Sequence, residues 1–255
     1  MRRLKIAYGD APSTFGHLYL PGEAARGAES APLVVLVHGG YWSTEYSLVV
    51  YTGIARALAE RGAVVWNVEY RRVGEPGGGW PTTGRDVVDA ISALDGPVTD
   101  QLATTQITVD RKRASILGHS AGGQLAVYAA ARLGAATERF AFGTVIAQSP
   151  VLDFTETGAF DRPSVVALMG APFAQIPDRY REASPSEQEP FSSTVAVVHT
   201  VDDQSVPIGM SRRYVAEAER RGQSAVLYEV PGEGHDAFVD PRSAASRQTL
   251  RVLGI

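Results

Sequence analysis

The chain has 255 residues, of which 44% are apolar and 20% charged, with a net charge of -4, five histidines and no cysteine. A chain of this length forms one large domain or two small ones and buries roughly three quarters of its unfolded surface. The composition is that of an ordinary globular protein; it excludes a disordered chain, a disulfide frame, a thiol nucleophile and a cysteine zinc site. No run of lysine or arginine marks a face for nucleic acid or for a membrane surface, so neither partner is expected. Arg2 and Arg3 lead through Leu4-Lys5-Ile6 into Gly9-Asp10 rather than into an apolar segment, and a cytoplasmic location is the expectation.

In chain order, two short strands are predicted around Leu4 to Tyr8 and Gly16 to Leu20, followed by a loop over 21–32 rich in Pro, Gly, Glu and Ala. Leu33 to Val37 is a continuous apolar run, as in a strand buried on both faces, and it ends in His38-Gly39-Gly40-Tyr41-Trp42. A helix carrying Val50, Ile54, Leu58 and Arg61 closes at Gly62 and leads to a strand over Ala63 to Tyr70. After a glycine-rich stretch, Pro81 opens a helix with Val87, Val88, Ile91 and Leu94. Ser115-Ile116-Leu117 reads as a buried strand and Gln124 to Leu133 as a helix closed by Gly134. Another buried run, Thr144 to Ala147, precedes residues 151–191, where the alternation is lost and prolines recur; this segment is expected to be a short insertion, a lid or cap with short helices. A strand at Val195 to His199, a helix over Pro207 to Arg221, a last strand at Ala225 to Val230 and a final helix capped at Asp240-Pro241 complete the chain. The alternation predicts a single α/β domain over 1–255: a mostly parallel, doubly wound, eight-stranded twisted sheet flanked by helices, with its chemistry outside the carboxyl ends of the strands.

Those strand ends carry the candidate site. In Gly118-His119-Ser120-Ala121-Gly122-Gly123, a strand-to-helix elbow would project the Ser120 hydroxyl into a cleft. Glycines two before and two after it let strand and helix approach. A serine hydroxyl needs a base and the base an orienting carboxylate. Of the five histidines, His235 is the expected general base, because it lies in the polar loop Pro231-Gly232-Glu233-Gly234-His235-Asp236 after the last strand. His17 and His38 belong to earlier strands, His119 is expected to point away from the neighbouring hydroxyl, and His199 reads as a core histidine. Asp203, in the loop after His199, is the favoured acid, with Asp202 and Asp153 as alternatives. The N–H groups of Gly40 or Tyr41 together with Ala121 would form an oxyanion hole. Trp42, Trp80 and Phe154 are expected to wall the substrate pocket, ordinary core packing being the alternative. No cofactor and no metal is expected: Gly77-Gly78-Gly79 lacks the Lys-Ser/Thr of a phosphate loop, and the histidines and acids lack zinc spacing.

The set His38-Gly39-Gly40-Tyr41-Trp42, Gly118 to Gly123, Asp203 to Pro207 and Gly234-His235 resembles the α/β-hydrolase superfamily, in its esterase/lipase branch. The His-Gly-Gly-Tyr-Trp string is most similar to kynurenine formamidase (arylformamidase)-like enzymes, whereas Asp203 followed by Val206-Pro207, and the loop Glu69-Tyr70-Arg71-Arg72 with its glycine-rich tail to Trp80-Pro81, resemble small carboxylesterases and exopeptidase-like hydrolases more widely. The resemblance implies a cofactor-free serine hydrolase that forms an acyl-enzyme with a Ser-His-Asp triad and cleaves an ester or activated amide of a small aryl or short-chain acyl substrate. A peptidase or amidase on the same triad, and a non-hydrolytic binding protein on the same fold, are the alternatives. The expected partner is a small-molecule substrate, and the assembly to test is a homodimer.

Overall fold

The computed structural model describes residues 1–22, 30–156 and 158–255, so part of the loop expected over 21–32, and Thr157 within the expected insertion, lie outside the described residues. Eight strands, β1 (Arg2–Ala7), β2 (Phe15–Leu20), β3 (Leu33–Val37), β4 (Val64–Val68), β5 (Ala114–His119), β6 (Phe142–Gln148), β7 (Thr194–Thr200) and β8 (Ala225–Val230), form one sheet. Its order is β1-β2-β4-β3-β5-β6-β7-β8. β1 and β2 pair antiparallel, β2 runs antiparallel to β4, and every later pairing is parallel. The strand hydropathy accounts for the order: β3 and β4 are buried at every position, as central parallel strands must be, whereas Arg2, Arg3 and Lys5 leave β1 exposed at the edge.

Among the described residues, the α-helices are α1 (Thr52–Glu60), α2 (Thr82–Ser92), α3 (Pro97–Ala103), α4 (Ala121–Leu133), α5 (Pro163–Met169), α6 (Pro177–Ala183), α7 (Ile208–Arg220) and α8 (Ala244–Leu253). Alternate residues of β3 feed two cores. Val34 and Leu36 pack with Ile54, Leu58 and Ala245 of α1 and α8; Leu33, Val35 and Val37 share the larger core with α2, α4 and α7. This is the doubly wound arrangement.

Three local expectations change. The helix expected around Val50 begins as a 3-10 turn over Leu48–Tyr51, capped by the Ser47 hydroxyl, before α1 takes over. The last helix is capped by Ser243, whose hydroxyl accepts the Ser246 N–H, rather than by Asp240. Helix α3 lies in a stretch with no strong apolar period and is anchored by Val98 and Leu102. Within 151–191, α5 and α6 carry Val165, Leu168, Met169, Tyr180 and Ala183 into the larger core, along with Phe154.

Candidate active site

Ser120 stands between β5 and α4 with φ 53° and ψ -119°, a left-handed conformation that a residue with a Cβ adopts only under constraint. The constraint is visible at the flanking glycines. A Cβ on Gly118 would collide with the Gly122 carbonyl, and one on Gly122 with the Val37 carbonyl, so neither position has room for a side chain. The Ser120 N–H is tied to the Gln148 carbonyl at 2.8 Å, which anchors the elbow to β6.

Asp203 and His235 come from the ends of β7 and β8. The His235 Nδ1–H donates to Asp203 Oδ2 at 2.7 Å, while Asp203 Oδ1 accepts the Ser205 and Val206 N–H groups, both at 2.8 Å. Burial alone would raise the Asp203 carboxyl; hydrogen bonds from His199, His235 and the Val206 N–H outweigh it and hold the group well below the usual carboxylate range. The other acids are engaged elsewhere. Asp202 Oδ2 accepts the Gly232 N–H at 2.9 Å, and Asp153 Oδ1 caps its own turn through Thr155. His199, fully buried as expected of a core histidine, has a second relation that its sequence position did not announce. Its Nε2 lies 2.9 Å from the Val206 carbonyl and 3.4 Å from Asp203 Oδ2, and Ser211 holds its Nδ1.

His119 has a partner that its sequence position did not announce: its ring lies 4.6 Å from that of His235, centroid to centroid, and its Nε2–H donates to the His235 carbonyl at 3.0 Å, so it pins the loop that carries His235. Burial first, and then the neighbouring His235, lower its pKa to about 3. An unfolded histidine titrates near 6.5, so on acidification the unfolded chain takes the proton first, and stability present above pH 6.5 is lost as the pH falls toward 3. The loss amounts to about 2 kcal/mol by pH 5. In His119→Gln, whose amide reaches the same carbonyl without titrating, urea denaturation at pH 7.5 and pH 5 should show a stability drop smaller by about that amount. An equal drop in both proteins would refute the assignment.

After β3 the chain turns through Gly40 (φ 113°), Tyr41 (φ 56°) and Trp42 (φ 55°), three consecutive left-handed residues. Among the described residues, no protein acceptor takes the N–H of Gly40 or Tyr41. Gly39 packs directly against the elbow: a Cβ there would lie 2.6 Å from the His119 carbonyl and 3.3 Å from Ser120 Cβ. The loop Gly39-Gly40-Tyr41 and the Ser120 elbow, with Ala121 as the first residue of α4, thus lie side by side.

Ser120, His119 and His235 line one cavity of about 450 Å³, together with Gly39, Gly40 and Tyr41. Its remaining walls are Tyr46, Val50, Asp236 and Val239, none of which sequence reasoning singled out. The expected walls Trp42, Trp80 and Phe154 are not among them. They are 2%, 5% and 0% exposed, and they pack inside. Trp42 stacks edge-on against Phe154 and donates to Gln124 Oε1 at 3.0 Å; Trp80 stacks edge-on against Tyr128. The Trp42 indole finds its polar partner in the core, which removes its reason to face a wet cleft. Among the described residues, none of 151–191 borders this cavity, none of the helices is long and apolar enough to cross a membrane, and no cluster of three or more His, Asp or Glu could hold a metal.

This architecture is found in solved structures. A truncated carbohydrate esterase from gut microbiota superposes with a TM-score of 0.81 at 18% identity, over 98% of this chain and 94% of that one. A thermophilic esterase from Thermogutta terrifontis gives 0.74 at 20% identity, covering 99% and 90%, and esterase B from Lactobacillus rhamnosis 0.79 at 18%, covering 99% and 84%. In sequence, the chain is 24% identical over 251 residues to esterase LipC of Mycobacterium tuberculosis; the match covers 92% of this chain and 60% of that protein, so the chain spans less than two thirds of this relative's length. The profile of the BD-FAE family matches residues 17–217, most of the chain, on a sheet of α/β-hydrolase order. The chain thus belongs to the BD-FAE family and shares its fold with these solved esterases.

Proposed function

We propose that the protein is a serine esterase that cleaves small aryl or short-chain acyl esters through an acyl-enzyme. The observation that carries this reading is the 2.7 Å Asp203–His235 pair set on the same cavity as the strained Ser120. Ser120 Oγ attacks the ester carbonyl as His235 Nε2 takes its proton; Asp203 holds His235 in the tautomer with its free lone pair on Nε2 and stabilises the imidazolium. The Gly40 or Tyr41 N–H, with that of Ala121 at the positive end of α4, receives the developing oxyanion. Protonated His235 then releases the alcohol, and water repeats the sequence on the acyl group. The relatives named as esterases support an ester over an amide.

The substrate class follows from the walls. Tyr41 and Tyr46, with rings 5.9 Å apart and both partly exposed, and the aliphatic Val50 and Val239 offer flat apolar contact, and the cavity contains no lysine or arginine. A cavity of about 450 Å³ suits a small aryl or acyl group rather than a long chain. With p-nitrophenyl esters from acetyl to palmitoyl, assayed beside aryl formamides and aminoacyl anilides, kcat/KM should be highest for acetyl to butyryl and fall steadily with chain length. A preference for long chains, or for the formamides or anilides, would overturn this assignment.

A further inference from the structure

Behind the oxyanion loop lies a buried ionic cluster that the triad does not use. His38 and Glu69 are 1% and 2% exposed, and each would be costly to bury unless paired. His38 Nε2 is 2.7 Å from Glu69 Oε1 and His38 Nδ1 is 2.7 Å from the Gly39 carbonyl, with the ring stacked on Tyr70 at 4.4 Å. Both ring nitrogens thus face acceptors. Glu69 in turn is surrounded by donors: the Tyr70 N–H on Oε1, and the Leu48 N–H and Arg72 guanidinium on Oε2 at 3.0 and 3.3 Å. Arg72 also donates to the Tyr46 carbonyl, so the same cluster ties down the cavity wall that begins at Tyr46.

Resting on the esterase reading, we propose that Glu69 is a positioning residue for the oxyanion loop: through a His38 that donates from both ring nitrogens, it draws the Gly39 carbonyl away from the cavity and so aims the Gly40 N–H into it. The step from one to the other is the planarity of the peptide. In a trans peptide the C=O of residue 39 and the N–H of residue 40 point in opposite directions, so a carbonyl held by the buried imidazole leaves the amide facing the cavity that Gly40 lines. Among the described residues, no other hydrogen bond restrains that peptide, and Gly40 at φ 113° has the freedom to flip. Donation from one ring nitrogen alone would leave either Glu69 Oε1 or the Gly39 carbonyl facing a bare nitrogen, whereas donation from both keeps both bonds.

The test uses the whole protein, with histidine labelled with nitrogen-15. One histidine, assigned by the contact of its ring with that of Tyr70, should show both ring nitrogens protonated under the assay conditions; a single bare nitrogen overturns the proposal, and this measurement on the unmodified chain stands even where a variant fails to fold. With p-nitrophenyl acetate, Glu69→Gln should lower kcat about 10- to 100-fold with KM within about twofold, less than the loss of a whole oxyanion donor. With its oxygen on the Leu48 N–H and Arg72, the glutamine sets its NH2 against the Tyr70 N–H and its His38 partner; turned the other way, it sets its NH2 against Leu48 and Arg72, so neither orientation holds the whole network. His38→Asn, whose Nδ2–H can still reach the Gly39 carbonyl, should retain most of kcat, whereas His38→Leu should fall at least as far as Glu69→Gln. An unchanged kcat in a folded Glu69→Gln, or equal damage from the Asn and Leu variants, overturns the proposal. The esterase reading itself is judged separately, by fluorophosphonate labelling of Ser120 in the unmodified protein.

Discussion

Ser120→Ala is expected to lower kcat for p-nitrophenyl acetate on the order of a millionfold while leaving the fold intact. The size follows from the division of labour in the proposed mechanism. Without a nucleophile there is no acyl-enzyme, and what remains is binding plus oxyanion stabilisation acting on a water that His235 was not placed to activate. The fold should survive because the elbow strain belongs to the backbone: alanine keeps the Cβ at φ 53°, and the anchoring Ser120 N–H to Gln148 bond needs no side chain. Thermal unfolding within a few degrees of the parent, with activity lost, is the predicted signature. A fluorophosphonate should attach to the parent at Ser120 and not to the variant. A folded parent that takes no label would instead favour a ligand-binding protein on this fold, and an alanine variant retaining more than about a thousandth of kcat would place the nucleophile elsewhere.

The parts of this site legible from sequence are those where backbone geometry restricts residue choice. Gly118 and Gly122 have carbonyls where a Cβ would be, so the elbow must be spelled with glycines, and a reader can work backward from spelling to shape. The buried runs of β3 and β7 were equally readable, because strands covered on both faces admit little but apolar residues. The cavity walls were not, because a sequence gives proximity along the chain without side-chain direction. Trp42 follows Tyr41 directly, and at φ 55° its indole turns inward to Gln124 and Phe154 while Tyr41 stays 48% exposed. Tyr46 and Val50 reach the cavity from a loop and a 3-10 turn that carry no motif, and Val239 from the far end of a second 3-10 turn, His235–Val239, in which His235 alone was singled out. The partner of His119 was hidden for the same reason: adjacency to Ser120 says nothing of a contact with the carbonyl of His235, 116 residues on.

Asp203→Asn separates the three candidate acids and should cost about 10⁴ in kcat with little change in KM. The direction is dictated by groups that do not move. The Ser205 and Val206 N–H groups both donate to Oδ1, so an asparagine must present its carbonyl there and its NH2 toward His235. His235 Nδ1 then has to accept rather than donate, which puts the ring proton on Nε2, where a base needs a lone pair. The amide also faces His199 Nε2 at the 3.4 Å position now held by a carboxylate oxygen, so the variant loses stability as well as rate. Asp202→Asn removes only the charge behind an exposed bond to the Gly232 N–H, and Asp153→Asn only a local turn contact; each should stay within about threefold of the parent, as expected of surface substitutions. If Asp202→Asn were instead the crippling change, the acid would be the neighbouring residue and the 2.7 Å Asp203–His235 bond would be structural. The depressed ionisation of Asp203 adds a check on sign. Its folded pKa lies below that of an unfolded aspartate, so its stabilisation is complete above about pH 4 and is lost as the pH falls below that, and a stability profile of the asparagine variant should be flatter over that acid range alone.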